Sequence, residues 1–182
     1  MLLEILENNI YYYKNIYDNP QQFLDKIKNL NISWNDWFSS GGEVLYGQSI
    51  GGPVPLPSEI LDVLKTSTYK CMYDYCLKTN NNLGFIPDFY TIKKYNTNAY
   101  MGPHVDSTDR TISKMPTISI VIYLNDDYEG GEIKFPNQNI SIKPEAGSMV
   151  IFPSYEPYVH DPQPTISGDK YMSPVFCFKE PF

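Results

Sequence analysis

From position 88 to position 178 the chain breaks into short β-rich runs: "DFYTIKKY", "TISIVIYL", "GEIKF", "ISI", "SMVIF" and "YMSPVFCF". Between them lie "NDDYEGG", "PNQN", "KPEAGS" and "PQPTISGD", rich in the Gly, Pro, Asn and Asp that supply turn backbone angles. Helix periodicity is missing between the runs. Strands this short and this closely spaced form an antiparallel sandwich or barrel, because no crossover helix is at hand to make neighbours parallel. That texture sets the fold class.

The first half reads differently. In "DNPQQFLDKIKNL", Asn19 is a candidate cap, Pro20 suits the first helical position, and Phe23, Leu24, Ile27 and Leu30 form an apolar stripe. In "LPSEILDVLKTSTYKCMYDYCLK", Ser58 is a candidate cap and "NNNLG" marks the stop; Leu61, Leu64, Cys71, Met72 and Tyr75 keep helical spacing. "WNDWFSSGGEVLYGQSIGGPVPLP" reads as loop or short strand laid over the core. Its Trp34, Trp37 and Tyr46 either cap a substrate cleft or, the commoner role for such aromatics, fill the core. The expected organisation is one domain over residues 1–182, mainly β with flanking helices. Residues 1–88 form a helical supporting region and residues 89–182 the β core.

Composition narrows the function classes. Of the 182 residues 42% are hydrophobic, enough for a packed core, and no apolar run approaches the roughly 18 residues of a membrane span. The N-terminus lacks a basic segment and a small-residue cleavage site, so a cytoplasmic location is expected. Net charge is -7 and Arg110 is the single arginine. A nucleic-acid partner is disfavoured, since such binding needs a basic surface to neutralise phosphates. Cys71, Cys76 and Cys177 have no metal-ligand spacing; they read as buried thiols in a reducing compartment, with Cys71 and Cys76 on different helix faces.

The chain has two histidines, and one stands in "MGPHVDSTDR". His104 and Asp106, two apart on an extended chain, project from one face and can bind one ion together. His160, between two late β-rich runs, can fold back onto them. Two imidazoles and a carboxylate on one side of an ion make the facial arrangement of non-haem Fe(II) oxygenases, with positions left open for substrate and O2. Zinc also accepts such a set, so ligand types alone do not identify iron. Lys170 enters a strand that faces the core, where an ammonium needs an anionic partner, and a dicarboxylate would supply one. Tyr95, at a strand end, could reach the same acid. Asp106 needs a donor to orient it, with Ser107, Thr108 and Arg110 as the nearby candidates. Glu132 reads as structural in a glycine-bound turn, Asp161 as solvent-facing, and Tyr11 to Tyr13 carry no chemistry.

The ordered set Tyr95, His104-Val105-Asp106, Tyr123-Leu124-Asn125-Asp126, Gly130-Gly131-Glu132, Phe135-Pro136, Lys143-Pro144 through Gly147, Phe152-Pro153, His160 and Lys170-Tyr171 resembles the 2-oxoglutarate/Fe(II)-dependent dioxygenases, most closely their prolyl 4-hydroxylase-like branch. The match runs from Phe89 to the C-terminus. It implies a double-stranded β-helix, or jelly roll, with the metal at one open end. It further implies His104, Asp106 and His160 as metal ligands and Lys170 as partner of the far carboxylate of 2-oxoglutarate. Tyr123 and Tyr95 would help to hold the cosubstrate. The activity implied is hydroxylation of an unactivated C–H bond, with a prolyl residue in a peptide or protein, or a small molecule, as the candidate substrates. It would be coupled to decarboxylation of 2-oxoglutarate to succinate, with ascorbate in support. One departure is that Tyr100 lies four residues before His104, where relatives often place an aromatic three before.

Two other readings compete. Nucleobase demethylation fits the same chemistry but not the acidic charge. A non-enzymatic jelly-roll metal module fits the histidines but has no use for a buried lysine beside the site.

Overall fold

The computed structural model describes residues 1–7, 9–38, 45–51, 55–81, 84, 86, 90–99, 101–108 and 115–178. The first half contributes β1 (Leu2–Glu7), β2 (Ile10–Lys14), α1 (Pro20–Lys28), β3 (Asn35–Phe38), β4 (Leu45–Gly51) and α2 (Ser58–Thr79). There follow β5 (Thr91–Tyr95), β6 (Pro116–Tyr123), β7 (Glu129–Gly130), β8 (Ile133–Phe135), β9 (Ile140–Ile142) and β10 (Ser148–Pro153). Last come β11 (Asp161–Pro162), β12 (Thr165–Ser167) and β13 (Lys170–Phe178). Eight strands make one antiparallel sheet in the order β1-β2-β10-β6-β13-β5-β4-β3, and the smaller groups β11-β8-β9 and β12-β7 lie apart from it.

Two-residue periodicity sorts the large sheet's side chains into two cores. Tyr11 and Tyr13 of β2, Ile120 and Ile122 of β6, and Met149 and Ile151 of β10 pack with Phe23, Leu24 and Ile27 of α1 and Leu64, Met72 and Tyr75 of α2. Their alternates Ile10, Tyr12, Val121, Tyr123, Val150 and Phe152 pack with Ile133, Phe135 and Ile142 of β8 and β9. The molecule is therefore layered: helices, large sheet, small strands. Each fully buried Leu, Ile or Phe contributes about 1.5–3 kcal/mol. The layering is a jelly roll backed by helices.

Four sequence expectations change here. The first half supplies not only helices but four strands of the large sheet, β1 and β2 at one end and β4 and β3 at the other. Pro20 does open α1, but Asn19 is left-handed (φ 50, ψ 61) and makes no side-chain cap. In α2 the cap position falls on Pro57 and Ser58 is the first helical residue, while Asn80 ends the helix in the left-handed conformation (φ 53, ψ 34). Cys71 and Cys76 do not part company across the helix. Both are free, buried and in the same core cluster, because α2 buries a stripe wide enough to hold positions about 140° apart.

β4 lies unusually close to β5. A Cβ on Gly47 (φ +153) would stand 2.2 Å from the Lys94 carbonyl oxygen, so only glycine lets the strand in. Trp37 of β3 pairs across from Gly47, and its ring reaches past the missing side chain to Tyr95 of β5, centroids 5.7 Å apart and nearly perpendicular.

Candidate active site

His104 and His160 face each other as an isolated antiparallel bridge, each backbone N–H donating to the other's carbonyl at 3.0 Å. Directly opposed residues on antiparallel strands put their side chains on one face. The imidazole centroids are accordingly 4.2 Å apart. Asp106 completes the set, its Oδ1 3.5 Å from His104 Nε2 and its Oδ2 3.7 Å from His160 Nε2. All three ligand atoms lie within 4.8 Å of one another.

Neighbouring groups fix the donor atoms. The Gly102 carbonyl lies 2.7 Å from His104 Nδ1 and can only accept, so Nδ1 carries the proton and Nε2 keeps its lone pair for an ion. Ser119 of β6 donates to Asp106 Oδ2 at 2.5 Å, and Ser119 and Ser154 hydroxyls are 2.8 Å apart. The backbone N–H of Ser107 holds the next residue to the Ser154 carbonyl at 2.8 Å. His160 is 4% exposed and lies against Phe152, ring centroids 4.8 Å apart.

Electrostatics follow from burial and the nearby carboxylates, Asp106 foremost and Asp161 behind it. For His160, burial pushes the pKa down to about 4 against the pull of Asp106, so the ring is neutral, as a ligand must be. For His104, burial opposes the charged form, but the Asp106 and Gly102 contacts overcome it and the pKa rises. Burial likewise works against ionising Asp106, and its contact with His104, the nearby His160 and the Ser119 hydroxyl hold it below the usual carboxylate range.

The three side chains line one end of a cavity of about 360 Å3, a volume suited to a small ligand. Lys170 lines the same cavity and is 4% exposed. Its Nζ donates to the Gly131 carbonyl at 2.6 Å and lies 5.3 Å from the ring of Tyr123 and 5.9 Å from those of Tyr95 and Tyr128. Among the described residues no carboxylate pairs with it, and burial lowers its pKa to about 7, with Lys143 adding to the effect. Two imidazoles, one carboxylate and, among the described residues, an ammonium with no paired carboxylate fit a divalent metal and a dicarboxylate in one cavity.

The structure thus brings together His104, Asp106, His160, Lys170, Tyr123 and Tyr95, all in the cavity wall. The orienting donor for Asp106 is Ser119, not Ser107 or Thr108; Arg110 lies outside the described residues, as do Phe89 and Tyr100. Register could have found Ser119, since it shares the inward face of β6 with Val121 and Tyr123. Tyr128, hidden in a turn segment, is a third ring around Lys170. Trp37 lines the cavity, whereas Trp34 packs on Tyr171 against the helix-side core, and the side chain of Tyr46 lies outside the described residues. Glu132 and Asp161 are not part of the ligand set.

A jelly roll with such a cavity defines the class: a 2-oxoglutarate-dependent non-haem dioxygenase, its cofactors Fe(II) and 2-oxoglutarate. Residues 90–177 match the family model described as the 2OG-Fe(II) oxygenase superfamily, and that segment belongs to it. Solved structures share the fold at low identity. The viral collagen prolyl hydroxylase of Paramecium Bursaria Chlorella virus-1, in a 2OG complex, aligns with a TM-score of 0.69 and 17% identity over 92% of this chain and 94% of that one. A Trichoplax adhaerens prolyl hydroxylase in complex with a hypoxia inducible factor peptide gives 0.71 and 15% over 94% and 84%. A Pseudomonas putida prolyl-4-hydroxylase gives 0.68 and 16% over 94% and 93%. No curated protein sequence matches the chain.

Proposed function

We propose that the chain hydroxylates an unactivated C–H bond of a prolyl residue in a peptide or protein. The single observation that carries the reading is the placement of His104, Asp106 and His160 in the wall of a cavity that also carries the buried Lys170, which has no paired carboxylate among the described residues. Prolyl substrates are favoured by the structural neighbours, which include a collagen prolyl hydroxylase and a prolyl hydroxylase in complex with a hypoxia inducible factor peptide fragment. In this reading His104, Asp106 and His160 hold the metal, and residues 1–88 support the core that presents it.

Iron and 2-oxoglutarate, when bound, supply the oxidising chemistry, with O2 consumed and succinate released. The chain's own residues do the rest. His104 offers Nε2 because its Nδ1–H donates to the Gly102 carbonyl, and Asp106 is held in orientation by Ser119. Lys170 supplies the charge for the far carboxylate of the cosubstrate, with Tyr95 and Tyr123 walling the same end. Ile120, Val121, Ile133, Met172 and Val175 give the cavity an apolar wall beside these polar groups. The three buried free cysteines suit a reducing, cytoplasmic setting.

The test combines protein, Fe(II), 2-oxoglutarate and ascorbate with proline-containing peptides. Expected are succinate in proportion to peptide and a peptide heavier by one oxygen atom on proline. No succinate with any peptide, together with no binding of metal or 2-oxoglutarate, would overturn the reading. Lys170→Ala should raise the 2-oxoglutarate requirement while sparing metal binding.

A further inference from the structure

Lys93 stands on the inward face of β5, in the wall of the same cavity, and the machinery above does not use it. It shares that face with Tyr95, two residues on, and pairs across the sheet with Met172, whereas Lys170 pairs with Tyr95. Its Nζ sits 3.8 Å from the centroid of the Trp37 ring, closer than any of the rings around Lys170. The indole holds the ammonium in place by cation–π attraction but takes none of its three N–H donors as a hydrogen bond acceptor would. Among the described residues no carboxylate pairs with Lys93, while its neighbour Lys94, on the opposite face, has Asp169 at 3.2 Å. In a protein of net charge -7, two cations line one cavity.

Charge accounting within that cavity leaves one cation over. On the reading above, a divalent metal, the Asp106 carboxylate, a doubly anionic 2-oxoglutarate and Lys170 neutralise one another. Lys93 remains. Burial has already pushed its pKa down to about 8, so the group gains by meeting an anion that restores the charged form.

We propose that Lys93, fixed over Trp37, is a substrate subsite that binds a carboxylate on the substrate, close to the residue that is hydroxylated. The selected substrates are then acidic: a peptide with Asp or Glu beside the reacting residue, or an amino acid presenting its own α-carboxylate. This inference rests on the hydroxylase reading, yet it can be tested without turnover.

Binding is measured to the full chain loaded with Mn(II) and 2-oxoglutarate under anaerobic conditions, by calorimetry and by tryptophan fluorescence. The probes are Ac-Ala-Pro-Glu-NH2 against Ac-Ala-Pro-Gln-NH2, and free L-proline against L-prolinamide. These two pairs separate a side-chain carboxylate from an α-carboxylate. Wild type is expected to prefer the charged member of at least one pair by roughly tenfold, the worth of one charge-assisted hydrogen bond. Lys93→Met, which keeps the stem over Trp37, should abolish that preference, and Lys93→Arg should retain it. Mn(II) and 2-oxoglutarate affinities should stay at wild-type values in both variants. The proposal is overturned if no acidic probe binds, if charged and neutral probes bind alike, or if the preference survives in Lys93→Met. It is also overturned if Lys93→Met weakens 2-oxoglutarate instead, which would assign the lysine to the cosubstrate. Failure of wild type to bind Mn(II) and 2-oxoglutarate at all is the separate signature of a wrong hydroxylase reading.

Discussion

Asp106 sits between two imidazoles and cannot satisfy both without a third group to fix its plane. Ser119 does this from β6, and Ser154 lies behind it at hydrogen-bond distance. Removing such an orienting donor typically costs about 10–100-fold in metal affinity. Ser119→Ala should therefore weaken Mn(II) binding by roughly that factor, measured by titration under anaerobic conditions, with little change in melting temperature. Ser119→Thr, which keeps the hydroxyl, should restore most of it. Unchanged affinity in Ser119→Ala would show that Asp106 needs no help. The ligands themselves were legible in the sequence because their pattern is local: a histidine-poor chain, an i, i+2 pair, and one distant histidine. Ser119 was harder to see. Its role depends on which face of β6 points inward, and on Asp106 meeting that strand from a segment thirteen residues earlier.

At the scale of elements, the turn from β7 into β8 shows how a short stretch of backbone positions a charge. Gly130 and Gly131 both adopt positive φ, 71 and 67, and the Gly131 N–H donates to the Pro164 carbonyl at 2.9 Å. This aims the Gly131 carbonyl at Lys170 Nζ. A Cβ on Gly131 would come within 2.7 Å of the Tyr128 ring and 3.1 Å of Lys170 Cδ. Gly131→Ala should then cost about 1–2 kcal/mol in strain and displace both side chains, lowering stability in urea. It should also weaken 2-oxoglutarate binding several-fold while sparing Mn(II). Cosubstrate affinity equal to wild type would mean the turn does not position Lys170. The same turn marks where sequence reading stops. The segments "NDDYEGG" and "PQPTISGD" read as turn chemistry, yet they contain β7 and β12, which pair with each other across 35 residues or more. The strands β1 and β2 were missed for a related reason. "IYYYK" gains its identity by docking on β10, far along the chain, and "LLEILE" by pairing as the edge strand on "IYYYK"; local propensity holds no trace of the β10 partner. The runs that became β6, β10 and β13 were plain because each is a short apolar, β-branched or aromatic stretch bounded by turn residues.

The molecule as a whole places a cation where a water-filled site would be more comfortable, and the cost should show in its stability. Unfolded, Lys170 titrates near 10.5; folded and without cosubstrate, burial brings it to about 7. Between those values the unfolded chain binds a proton that the folded chain has released, so stability rises with pH across this window. Below about 7 both states are charged and the penalty is present in full. Each pKa unit corresponds to about 1.4 kcal/mol, which puts the swing over the whole window at up to roughly 5 kcal/mol. Lys170→Met should flatten this slope and make the cosubstrate-free protein more stable than wild type near neutral pH, while abolishing 2-oxoglutarate binding, a trade of stability for function. Saturating 2-oxoglutarate acts in the opposite sense. Pairing with its carboxylate raises the Lys170 pKa again, so binding takes up a proton above pH 7 and affinity falls as pH rises past that point. Urea unfolding from about pH 6 to about pH 10, with and without 2-oxoglutarate, measures both effects, and the difference between wild type and Lys170→Met isolates this lysine from all the others. Parallel pH profiles for the two proteins would mean that Lys170 is no more costly in the fold than in water, and the case for a cosubstrate counter-ion would lose its physical basis.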